Sequence, residues 1–198
     1  MMRFKNRTFL ACALFGLALA SCKSEDPVIE NDEEVITDVT LRFTELNSSG
    51  TSVGDPFEFK ASDPQGIELG TPTIESVTLS KGKSYKMEII LFNSIAGEDI
   101  TAEVQEEADE HQFFFLGTAF VGSPVLTYSY NDQGGELIGL NGTVMVSQSP
   151  GFNNANMRII LRHDLDKNYP GATNPNFENF AQAGGETDLD ITFPLVLE

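Results

Sequence analysis

"VITDVTLRFTEL", Val35 to Leu46, sets Val35, Thr37, Val39, Leu41 and Phe43 at every second position, with Asp38, Thr40, Arg42 and Thr44 between them. A period of two turns one side of an extended chain toward an apolar interior and the other toward water, so this stretch predicts a strand on the surface of a core. Comparable runs follow Gly, Pro, Asn or Ser punctuation at 57–61, 74–80, 84–93, 112–121, 125–131, 137–148, 157–164 and 187–197. "SKGKS" and "NDQGG" have the composition of hairpin turns between neighbours. About eight or nine short strands predict a mainly β protein, an antiparallel β-sandwich or Greek-key barrel. Pro194 has no N–H for a sheet ladder, which predicts an edge position for the last strand.

One segment departs from this period. From Asp99 to His111 the apolar residues Ile100, Val104 and Ala108 recur every four. That spacing predicts one short helix over about 99–111, started by Glu98 or Asp99. Its end is crowded with Glu103, Glu106, Glu107, Asp109 and Glu110, immediately before His111 and the run Phe113, Phe114, Phe115. Glutamates one turn apart repel, and acids at a helix C-terminus oppose its dipole. A divalent cation relieves both effects, and a carboxylate four residues before an imidazole has a usable ligand spacing. The rings of 113–115 are expected to alternate between a core on one side and the helix on the other.

The N-terminus reads as an export signal. Arg3, Lys5 and Arg7 precede an apolar run from Phe9 to Leu19, too short to span a bilayer. Leu19-Ala20-Ser21-Cys22 has the form of a lipobox, in which Cys22 becomes the lipidated first residue of the mature chain. The other cysteine, Cys12, also falls in the leader, so the exported part has no thiol to form a disulfide. The expected organisation is a signal peptide at 1–21, an acidic flexible tether at 22–34, and a single β-sandwich domain at 35–198.

Without residues 1–21 the chain keeps 9 basic against 30 acidic residues, a formal charge of −21. Such a charge repels nucleic-acid backbones and anionic lipid surfaces and attracts cations. The chain has two histidines, His111 and His163. In "MRIILRHDLDKN", Met157, Ile159, Leu161 and His163 share one strand face, so His163 ends an apolar row as His111 does. The metal-ligand candidates are therefore His111, Glu107, Glu103, His163 and Asp164, for a divalent metal. Asp164, Asp166 and Asn168 imitate the start of a calcium loop, but Tyr169 stands where its glycine is required and Pro175 where its closing glutamate is required. Asp188 and Asp190 fall on the outward face of the last strand. The polar segment 165–186 carries Tyr169, Phe177 and Phe180, which either pin it to the sandwich or form a ligand platform. No nucleophile elbow, phosphate loop or H-E-x-x-H motif is present, so a non-catalytic protein is expected.

At "EEADEHQFFF", "LRHDLDKN" and "AGGETDLDITF" the chain resembles a group of short Bacteroidota outer-membrane lipoproteins of unassigned chemistry. Some of that group carry a type 1 periplasmic-binding fold label, which denotes a two-lobed α/β architecture. The strand pattern here predicts a single β body instead. The acidic residues behind Cys22 resemble a surface-export signal, which implies a lipid-anchored protein on the outer membrane facing the cell exterior. The resemblance also implies work beside a TonB-dependent receptor. The expected function is a binding lipoprotein that captures a metal or metal complex for uptake. The alternatives are a structural or adhesion module docking a partner protein through the acidic helix, and a glycan-binding module using the 165–186 loop.

Overall fold

The computed structural model describes residues 35–198; the leader, Cys22 and the tether lie outside them. Ten strands follow in chain order: β1 (Asp38–Leu46), β2 (Ser52–Ser62), β3 (Thr73–Ile74), β4 (Val77–Leu79), β5 (Ser84–Phe92), β6 (Gln112–Leu116), β7 (Leu126–Tyr130), β8 (Asn141–Val146), β9 (Asn154–His163) and β10 (Glu186–Leu197). One α-helix, α1 (Ile100–Glu106), stands between β5 and β6. The protein is mainly β, with two sheets ordered β3-β2-β1-β5-β8-β7 and β4-β10-β9-β6. Every strand pair is antiparallel except β4 with β10.

Strand β1 sits inside the larger sheet, paired on both sides, and its alternation is what the core requires. Val39, Leu41 and Phe43 are fully buried against Tyr85, Met87, Ile89 and Leu91 of β5 and against the smaller sheet. That sheet contributes Phe113 and Phe115 from β6, Met157, Ile159 and Leu161 from β9, and Leu189, Ile191 and Phe193 from β10.

Several expected boundaries move. The run at 74–80 breaks at Glu75 and Ser76 into β3 and β4, which belong to different sheets, so "SKGKS" carries the chain between sheets and is no hairpin. "NDQGG" does join antiparallel neighbours, β7 and β8, within a longer connection. There the Asp132 carboxylate accepts the N–H of Gly139 and of Asn141, which delays β8 until Asn141. Strand β10 is internal by order, yet β4 covers only Leu195–Leu197, so Pro194 lies on the stretch flanked by β9 alone.

Helix α1 is shorter than its apolar spacing predicts. Asp99 caps it by accepting the N–H of Ala102, and it stops at Glu106 with no basic residue in its last turn. The acids of 106–110 sit where the helix dipole is negative, and although Lys167 Nζ donates to the Ala108 carbonyl, the chain leaves the helix there. Ile100 and Val104 enter the core beside the outer half of β5, which β8 does not reach. The Thr101 hydroxyl takes the place of the missing strand, accepting the Leu91 N–H at 2.8 Å and donating to the Leu91 carbonyl at 3.0 Å. A Thr101→Val variant keeps the shape but strands both groups. It is expected to lose about 2 kcal/mol in urea denaturation.

Phe114 faces away from the inter-sheet core, as alternation requires, but the helix does not cover it. The segment after β9 does. Leu165 and Ala183 bury against Phe114, and the Phe177 and Phe180 rings lie 6.2 and 6.0 Å from it. Tyr169 packs partly buried in the same cluster and donates its hydroxyl to Gln182. The aromatics of 165–186 thus pin the segment to the sheet.

Candidate metal centre

The register between β6 and β9 sets Gln112 opposite Arg162. One step further along the same register, His111 meets His163, both on the face that carries Phe113 and Leu161. The two imidazoles stack with centroids 4.2 Å apart and planes at 27°. His111 is 0% exposed and His163 6%. Although α1 has ended, the N–H of His111 still reaches the Glu107 carbonyl at 3.1 Å, so the i, i+4 relation of Glu107 and His111 survives in a single turn.

Carboxylates surround the rings. Glu107 Oε2 lies 3.8 Å from His111 Nδ1, and Glu110 Oε2 lies 3.3 Å from His163 Nε2; both glutamates are about half exposed. Glu107, His111 and His163 form one group, and Glu110, His163 and Asp164 another, each with ligand-type atoms within 4.8 Å of one another. The ligand atoms of a tetrahedral zinc stand about 3.4 Å apart, so exposed glutamates need only a small contraction around an ion. Asp164 holds φ 59, alone among the described non-glycine residues in having positive φ, a conformation that aspartate tolerates. Its N–H donates to the Glu110 carbonyl, tying the helix exit to the end of β9.

Of the expected ligands, the fold brings Glu107, His111 and His163 into one group, and places Asp164 with His163 in the other. Glu103 belongs to neither group. Its carboxyl is pushed up in pKa, first by burial and then by Glu98 and Glu107. The calcium-like run is a turn, with Asp166 accepting the Asn168 N–H. Asp190 points outward and pairs with Arg158 at 2.8 Å.

Asp188 departs from its expected place. The β9–β10 register shifts between Thr187 and Leu189, and Asp188 is the extra residue of that bulge. Bulges re-aim side chains. This one turns Asp188 inward, 6% exposed, with Oδ2 3.7 Å from His111 Nε2. Arg162 holds the bulge from the other side: it donates to the Gly184 carbonyl and the Thr187 hydroxyl and stacks over Phe180. Neither Asp188 as an interior acid nor Arg162 as its clamp follows from periodicity. The one local signal is Gly184-Gly185 just ahead of the strand.

Burial, then the His163 imidazole, lowers the His111 pKa from 6.5 to about 4, so His111 is neutral near pH 7 and offers a lone pair. In the metal-free protein this carries a pH dependence of defined sign. Above pH 6.5 neither folded nor unfolded His111 holds the extra proton. Between 6.5 and about 4 the unfolded chain takes it up and the folded one does not, so stability falls as pH drops through that window and levels off below it. The His111 share of that loss is about 3 kcal/mol. Urea denaturation at pH 7 and pH 4 is expected to show it in the wild type, with a correspondingly smaller drop in His111→Gln.

No protein-family model matches this chain, and no curated protein or solved structure does.

Proposed function

We propose that this protein is a non-catalytic binding lipoprotein that captures a divalent transition-metal ion at the junction of α1, β6 and β9. The observation that carries this is the stacking of the chain's two histidines, distant in sequence, with Glu107, Glu110 and Asp164 around them. Two imidazoles with carboxylates suit zinc, copper or nickel better than calcium or magnesium, which prefer all-oxygen sites. The buried rings give the site fixed nitrogen donors, and the exposed acids give it an entrance. The formal charge of −21 that remains without residues 1–21 raises the local concentration of cations.

In this proposal Cys22 carries the lipid, the domain faces the exterior of the outer membrane, and a TonB-dependent receptor takes the metal onward. The lipobox, the acidic tether and the resemblance to surface lipoproteins support that placement. Calorimetric titration of zinc into the purified protein tests the binding step. Saturable uptake of one ion per chain is expected; heats no larger than dilution refute it.

A further inference from the structure

We infer that Asp188 is the positioning residue that decides which nitrogen of His111 is offered to the metal. This rests on the metal site proposed above and concerns a residue outside its ligand set. A neutral imidazole carries one N–H, and the two nitrogens of His111 look in different directions. Nδ1 faces the exposed side, 3.3 Å from the Glu107 carbonyl and 3.8 Å from its carboxylate. Nε2 faces the interior, 3.7 Å from the Asp188 carboxylate.

An ion entering among the acids meets Nδ1. To bind it, Nδ1 must hold the lone pair and Nε2 the proton. The placement of that single proton sets the Glu107 carbonyl at Nδ1 against the Asp188 carboxylate at Nε2. As an ion, the Asp188 carboxylate attracts the N–H through its charge, where the Glu107 carbonyl offers only a dipole. At 3.7 Å its pull is electrostatic rather than a formed hydrogen bond, but in a site this buried the charge is weakly screened. A carboxylate behind a ligating imidazole is a general way to fix tautomer and ring orientation.

The sequence spends several features on placing this acid. The bulge turns it inward, Gly185 lets β10 start in direct contact with the end of β9, and Arg162 bonds to Gly184 and Thr187 just ahead of the bulge while feeling the charge of Asp188. Asp190, two residues on, has the same chemistry and is turned away.

The test combines nitrogen NMR of the His111 ring in metal-free 15N-labelled protein at pH 7.5 with zinc titration of the same samples. Wild-type His111 is expected to carry its proton on Nε2. Asp188→Asn is expected to move population toward the Nδ1–H form and to weaken zinc binding about 10- to 100-fold. Asp190→Asn is expected to change neither. An unchanged tautomer and affinity in Asp188→Asn overturns the inference, and so does a wild-type ring protonated on Nδ1, which decides the matter alone if the variant does not fold. If the wild type takes up no zinc, the metal site is refuted, while the tautomer comparison still decides what Asp188 does to His111.

Discussion

A Gly185→Ala variant is expected to lose about 5 kcal/mol of stability, at the upper end of what single substitutions do. A Cβ at this position stands 2.0 Å from the His163 carbonyl oxygen and 2.8 Å from backbone atoms of Asp164 and Leu165. None of these can rotate away, because all belong to the main chain. Gly185 also holds φ +70, where an L side chain is strained. Relief therefore requires the start of β10 to part from the end of β9, and that seam carries His163 and the Asp188 bulge. Gly184→Ala is the matched control: φ is +82, but nothing lies within 4 Å of its Cβ. It is expected to cost about 2 kcal/mol, from backbone strain alone. Equal losses in urea denaturation for the two variants contradict the close contact at Gly185.

The second large effect concerns the imidazoles. Zinc binding by small structural sites is worth roughly 10–16 kcal/mol over four ligands, so deleting one nitrogen donor costs roughly 3–4 kcal/mol, or about 100- to 1000-fold in affinity. His111→Ala and His163→Ala are each expected to lose that much in competitive zinc titration. Glu107→Gln, which weakens the exposed carboxylate grouped with both imidazoles, is expected to lose about tenfold. Glu103→Gln is expected to bind as the wild type does. Retention of full affinity by either histidine variant, at matched folding by circular dichroism, refutes the shared site.

What was legible beforehand divides along the range of the interactions. The alternation in "VITDVTLRFTEL" reports only the local environment of each residue, and it leads to β1 and its buried Val39, Leu41 and Phe43, while ahead of the strand Ile36 is buried and Val35 exposed. The same local rule saw that both His111 and His163 end apolar rows. It could not see that the rows are neighbours, because the β6–β9 register is a long-range pairing with no local signature. Simple alternation puts Asp188 outward, but it lies inward, since it is the inserted residue of a bulge beyond which Asp190 keeps the outward face. Apolar spacing overstates the helix because it ignores the dipole, which the acids beyond Glu106 oppose. The same spacing puts Phe114 beneath that helix. Its cover is instead a segment whose polar, turn-rich composition hides three inward rings, since an irregular chain has no period to show which side chains it buries.

The central claim is that two imidazoles share one ion. X-ray absorption at the zinc edge, on protein loaded with one equivalent, examines the shell of donors itself. Two imidazole nitrogens at about 2.0–2.1 Å, completed by carboxylate oxygen, are predicted. A shell made only of oxygens contradicts the account, whatever the affinity.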